Sequence, residues 1–290
     1  MNESEVINFY DALPKKFRQE ERDYPAKKEL GISLPFRMCI VGSTGSGKTN
    51  FLMNLVRKMN AFTRIMLFAK DLEEPLYASF IDLFRKIEKE TNTTILIASN
   101  KIEEIPPVST TNKQDNTLLI IDDMMTEKHD KLAPVVEYWI RGRKQQVSCC
   151  YLAQAYHAIP SNIRKNSDYL VLTKIKTLDD LHRILREYTL GTTKEEIERK
   201  YNEAAEFPHV FMIDTATKDQ AMRFRRDYRP MAEPAPQIEK AREIRSREVG
   251  GDDEEDLTER PPVKKRRAVS ARPSLCVRKS PPMKKPTNRR

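Results

Sequence analysis

The run Gly42-Ser43-Thr44-Gly45-Ser46-Gly47-Lys48-Thr49 limits the folds open to this chain more than any other feature. It follows an apolar stretch at 36–41 and leads into a helical stripe of Phe51, Leu52, Leu55, Val56 and Met59. This is G-x-x-x-x-G-K-[ST] between a strand and a helix, where main-chain N–H groups turn inward around phosphate oxygens. Side chains would obstruct such a turn, and three of the chain's eight glycines fall in it. Gly42, Ser43, Thr44, Gly45, Ser46 and Gly47 are therefore expected to cradle a triphosphate such as ATP. Lys48 would reach the β and γ phosphates and the Thr49 hydroxyl would bind Mg²⁺. The positive end of the helix dipole favours the same anion. A Gly/Ser-rich turn alone would explain the glycines but not Lys-Thr at this offset.

Such a loop needs a carboxylate for its metal, and the apolar run 118–121 ends in Asp122-Asp123. Asp122 is the expected Mg²⁺ partner, and Asp123 is placed to orient or deprotonate the attacking water. Five further short runs, at 36–41, 64–68, 94–98, 147–153 and 169–172, are apolar on consecutive positions. That pattern suits strands covered by helices on both faces. Helical patterns separate them, among them a stripe of Leu76, Phe80, Leu83, Phe84 and Ile87 and stretches at 130–143, 178–189 and 193–206. The expected fold is α/β, a mainly parallel sheet flanked by helices. Residues 209–214 and 221–228 read as an antiparallel hairpin on its edge.

Charge divides the chain. Of 52 Lys plus Arg, 12 lie in residues 260–290, which hold no acidic residue, so residues 1–259 carry 40 basic against 43 acidic side chains. Attraction to nucleic acid follows where cations sit, so the overall +9 does not by itself make the body a nucleic-acid binder. Nine of 18 prolines fall at 230–286 and apolar periodicity stops near Tyr228. The expected organisation is an N-terminal segment at 1–32, a phosphate-loop domain at 33–230 and a disordered basic tail at 231–290. The longest apolar runs fall far short of the roughly 20 residues that span a bilayer. No secretory pattern opens the chain, and Cys39, Cys149, Cys150 and Cys276 have no metal-ligand spacing, which suits a reducing compartment.

Among phosphate-loop classes, a GTPase needs D-x-x-G, and no Asp here has Gly three residues later. A small-molecule kinase would carry an Arg-rich lid, but Arg183 and Arg186 share a helical pattern with Leu178, Leu181, Ile184 and Leu185. The deciding stretch is RGRKQQVSCCYLAQ at 141–154: a helix ends in a basic cluster, a buried strand follows, and Gln154 stands at its tip. In a parallel sheet that tip adjoins the loop and Asp122, so Gln154 is expected to sense the γ phosphate or position water. Together with GSTGSGKT at 42–49, LLIIDD at 118–123 and IPSNIRKNSD at 159–168, this resembles the genome-packaging ATPases of the FtsK/HerA superfamily, of the poxvirus type found in large eukaryotic DNA viruses, virophages and Polinton elements. The resemblance covers about residues 33–228.

It implies that Arg141 or Arg143 acts as an arginine finger across a subunit interface and that Gln154 senses nucleotide. It also implies a closed homo-oligomeric ring around double-stranded DNA, with a capsid or portal protein as partner. Two departures stand out. Many relatives carry Glu at Asp123 and several carry His at Lys144. Arg141 and Arg143 also read as cations at a helix C-terminus, and Arg164 is a further finger candidate that reads equally as an anchor of a short helix or a DNA contact. With the body near neutral, DNA contacts must form a local patch, for which Lys113, Lys165, Lys174 and Lys176 are candidates. In the tail, PPVKKRR at 261–267 has the form of a nuclear import signal read by an import receptor, or of a DNA-binding arm. That form points to the host nucleus, while the family resemblance also allows a cytoplasmic factory and the virion. The expected activity is ATP-driven translocation of duplex DNA into a capsid. The alternatives are a related translocase in replication or recombination, and a nuclear DNA-binding protein using ATP as a switch.

Overall fold

The computed structural model describes residue 9, residues 13–14, 22–124, 131–189 and 191–231. The consecutive apolar residues bury both faces of every expected strand except the one at the sheet edge, Leu96–Ser99, where only Leu96 is fully buried. In β1 (Arg37–Val41), Met38 and Ile40 enter one core and Cys39 and Val41 enter another. The remaining strands are β2 (Arg64–Ala69), β3 (Leu96–Ser99), β4 (Thr117–Asp122), β5 (Val147–Ala153), β6 (Tyr169–Leu172), β7 (Phe211–Asp214), β8 (Phe224–Arg226) and β9 (Arg229–Pro230). They form one sheet in the order β3-β2-β4-β5-β1-β6-β7-β8-β9. β1 to β6 are mutually parallel, and β7, β8 and β9 extend the sheet as antiparallel neighbours.

Two helical layers cover the sheet. On one face lie α1 (Lys27–Leu30), α2 (Lys48–Met59) and α3 (Pro75–Thr91), packed on Ile40, Leu67, Ile120 and Leu152. On the other lie α4 (Ala133–Arg141), α5 (Ser161–Lys165), α6 (Leu178–Glu187) and α7 (Lys194–Ala204), packed on Val41, Phe68, Ile121 and Tyr151. Tyr24, Leu30, Ile32 and Leu34 are buried in the α2 layer, so residues ahead of 33 contribute to the same core. The hairpin is tied to this segment by Arg225. It is buried, pairs with buried Asp214, and donates to the carbonyls of Leu30 and Gly31.

The expected stripe on α3 is only partly buried. Leu76 and Leu83 are exposed, Phe80 and Phe84 are half-buried, and Tyr77 is the fully buried residue of that helix. The reason is position. α3 covers the β2–β3 edge of the sheet, where no further layer of the described residues closes over its outer side. Among the described residues the cysteines Cys39, Cys149 and Cys150 are free and buried, no helix is long and apolar enough to cross a membrane, and no cluster suits a metal held by His, Cys, Asp and Glu alone. The chain divides at Pro234: the unit Met1–Pro234 holds all the described residues, while Ala235–Arg290, with the basic cluster and Cys276, lies outside them.

Candidate nucleotide site

The sheet order decides the site. β5 lies between β1 and β4, so the tips of all three strands carry the expected groups side by side. The phosphate loop leaves β1 with Gly42 N donating to Ala153 O at 3.1 Å, and Asp123 N donates to Leu152 O at 3.4 Å on the other side of β5. Gln154 bridges the two: Thr44 Oγ1 donates to Gln154 Oε1 at 3.0 Å, and Gln154 Nε2 donates to Asp123 Oδ2 at 3.2 Å. Asp123 adopts φ +53, a left-handed conformation that Asp tolerates better than most residues, which ends the strand and directs its carboxylate toward Gln154. Thr44, Gly45, Lys48, Thr49, Asp122, Asp123 and Gln154 line one cavity of about 430 Å³ with Glu74 and Tyr77.

Within the loop, Lys48 Nζ donates to Gly42 O at 2.9 Å and to Ser43 O at 3.2 Å. Burial lowers its pKa, and the nearby Asp122 and Asp123 carboxylates oppose that shift. Gly47 takes φ +96, which glycine adopts without steric cost. Gly42 is fixed by space: a Cβ there would lie 1.7 Å from Thr173 Oγ1. Thr173, just past β6, is fully buried; its hydroxyl meets Ser46 Oγ at 2.6 Å, while Ser43 N and Oγ both donate to Lys174 O. The loop is thus braced from β5 on one side and from the end of β6 on the other.

Asp122 is largely enclosed, and burial raises its pKa against the opposing effects of Tyr77 and Lys48. Tyr77 OH donates to Asp122 Oδ2 at 2.7 Å, and the Thr49 side chain interacts with the same phenol oxygen. The two expected metal ligands therefore converge on one point. An uncharged hydroxyl and a carboxylate are the hard oxygen donors that suit Mg²⁺. Sequence reasoning missed Tyr77, and no local pattern joins it to Asp122, because the contact depends on β2 neighbouring β4. Thr173 was also missed, although the residue after a parallel strand next to β1 must fall at the phosphate-loop end.

A half-buried carboxylate with a raised pKa favours the folded state at low pH, and that contribution is lost as pH rises through the folded-state value. At neutral pH the ionised Asp122 is therefore a cost to the free protein. Asp122→Asn keeps an acceptor for Tyr77 and is expected to raise the Tm of the ligand-free protein by a few degrees, on the order of 2–4 °C per kcal/mol relieved. It should at the same time remove the Mg²⁺-dependent part of ATP binding. Thermal unfolding with and without Mg²⁺ and ATP checks both; a lowered Tm would contradict the cost assigned to Asp122.

The structure does not bring Arg141 and Arg143 to this cavity. They precede β5, whereas Gln154 follows it, so the strand's seven residues separate them by about 20 Å. Arg141 is exposed and pairs with Glu137 at 2.9 Å. Arg143 is exposed at the rim of a cavity of about 350 Å³ that also contains Asp168, Asp214 and Arg225. Arg164 is an anchor: it lies 4.7 Å over the Tyr156 ring and donates to Ile159 O at 3.1 Å and to Glu187 at 3.3 Å.

The family described as Poxvirus A32 protein matches residues 26–208. The DNA packaging protein OPG160 of Variola virus is 26% identical over 175 residues, covering 59% of this chain. The same protein of Vaccinia virus (strain Copenhagen) gives equal values, and that of Monkeypox virus is 26% identical over 58% of its own length. The match spans 64% of the length of the Variola relative. Among solved structures, the genome packaging NTPase B204 of Sulfolobus turreted icosahedral virus 2 with AMPPCP aligns with a TM-score of 0.47 and 13% identity, covering 68% of this chain and 98% of that chain. EssC ATPases 2 and 3 from Geobacillus thermodenitrificans align at 0.36 and 12%, over 73% and 42%.

Proposed function

The chain belongs to the Poxvirus A32 protein family, and from that premise we propose that it is an Mg²⁺-dependent ATPase that drives double-stranded DNA into a preformed capsid. One observation carries the reading: Lys48, Thr49, Asp122, Asp123 and Gln154, drawn from three strand tips, line a single cavity. The loop amides from Gly42 to Lys48 bind the phosphates, and Lys48 Nζ exchanges its loop carbonyls for β and γ oxygens. Thr49 and Asp122 hold Mg²⁺, which supplies charge neutralisation on the transferring phosphoryl group. Asp123 orients or accepts a proton from the attacking water. Gln154, hydrogen-bonded to both Thr44 and Asp123, couples the occupancy of the loop to the position of that carboxylate.

Arg141 and Arg143 stand at the far end of the sheet from their own loop, so either one serves catalysis only on a neighbouring subunit. A head-to-tail contact of that kind closes into a ring around the DNA. The capsid or portal protein is the proposed receiving partner, and the basic arm at 231–290 is the proposed contact to DNA or an import receptor.

ATP turnover by the assembled oligomer, measured with and without duplex DNA, tests this reading. Turnover is expected to rise several-fold with duplex DNA and to vanish on chelation of Mg²⁺. Turnover indifferent to DNA would overturn the motor and leave a nucleotide switch.

A further inference from the structure

Of the aromatic residues described, only Phe9 and Phe207 are exposed, Phe207 by 64%. A single exposed Phe is ordinary on a protein surface; its placement here is not. The ring packs against the main chain of the phosphate loop, its Cδ2 and Cε2 lying 2.9 and 3.1 Å from where a Cβ of Gly47 would sit. The turn that carries it is held at both ends. Ala205 N donates to Tyr201 O at 2.8 Å, His209 N to Glu206 O at 2.8 Å, and Val210 N to Asp227 Oδ1 at 3.0 Å. The Tyr201 hydroxyl in turn accepts from Ile175 N and donates to Thr173 O, fastening α7 to the strand end that braces the loop. The ring is therefore fixed relative to Gly47 and presented to solvent.

Two cavities flank the first turn of α2. Lys48 and Thr49 line the phosphate cavity, and the next two residues of α2, Asn50 and Phe51, line a cavity of about 840 Å³ whose opposite wall includes Pro208 and His209. A nucleotide with its phosphates on Lys48 and Thr49 can turn its base toward the second cavity, on the side where Phe207 packs on Gly47 and precedes Pro208. We infer that Phe207 is the platform on which the nucleobase stacks. This rests on the ATPase reading and adds a base subsite to it. A π-face is common to every base, so the platform favours the larger purine rings over pyrimidines through stacking area.

The test compares ATP with inorganic tripolyphosphate, which has the phosphates and no base, by calorimetry in Mg²⁺. Phe207→Ala is expected to weaken ATP about five- to a hundred-fold, the range of one lost base–aromatic stack, and to leave tripolyphosphate unchanged. Phe207→Trp is expected to restore ATP affinity and to gain a fluorescence change with ATP that tripolyphosphate does not cause. Unaltered ATP affinity in Phe207→Ala overturns the inference, and so does equal weakening of ATP and tripolyphosphate, which would make Phe207 a support of the loop. If the wild-type chain binds neither ligand, it is the ATPase reading that fails.

Discussion

Lys48→Met is expected to reduce the kcat for ATP hydrolysis by at least about 10²–10³-fold, the loss typical of removing one preorganised donor from a transition state that develops charge. The substitution keeps the volume of the side chain and removes the ammonium that the loop aims at the phosphates. The fold should survive it. Lys48 is part-buried with a lowered pKa, so its charged form is disfavoured in the ligand-free protein and its removal relieves a cost. The measurement is phosphate release at saturating ATP and Mg²⁺, beside a thermal unfolding curve. Wild-type turnover in a folded Lys48→Met protein would refute the site itself, and a collapsed Tm would show that Lys48 holds the loop together.

The second large effect concerns the far end of the sheet. Arg141→Ala/Arg143→Ala is expected to lower kcat by about 10³–10⁵-fold, the span attributed to arginine fingers, with nucleotide binding retained because neither residue touches the cavity. Mixing separates an action within the subunit from one between subunits. In a random equimolar assembly with Lys48→Met, a site is competent when an intact loop faces an intact arginine pair on its neighbour, so about a quarter of the sites should recover. Two parents that are each inactive would then give an active mixture. A mixture as inactive as its parents, or a double variant as active as wild type, removes the cross-subunit role, and with it the need for a ring. The particle mass with ATP analogue and duplex DNA gives an independent check, since a persistent monomer offers no neighbouring arginine.

Much of this protein was readable along the chain because its strands and its chemistry are local signals. The phosphate loop lies on consecutive residues whose spacing is dictated by the phosphates. Five of the six parallel strands show as unbroken apolar runs because both of their faces are buried, the edge strand β3 being half-buried, and each expected strand lies within two residues of the observed one. Gln154 was placed at a strand tip for the same reason. α3 was harder to read. Its apolar stripe predicts a buried face, yet an edge position leaves Leu76 and Leu83 in solvent, and amphipathic periodicity carries no information about how much sheet lies beneath a helix.

By itself, then, the sequence determined where the phosphate-loop motif would sit between a strand and a helix, that the strands would be parallel, and that an acidic pair would end a buried strand. Tertiary structure alone decided the company those residues keep. The insertion of β5 between β1 and β4 sets Gln154 between Thr44 and Asp123, and the pairing of β2 with β4 brings Tyr77 to Asp122. The return of the chain after α7 lays Phe207 on Gly47. Strand order and helix return are long-range choices made by total burial, and no residue records them in its immediate neighbours.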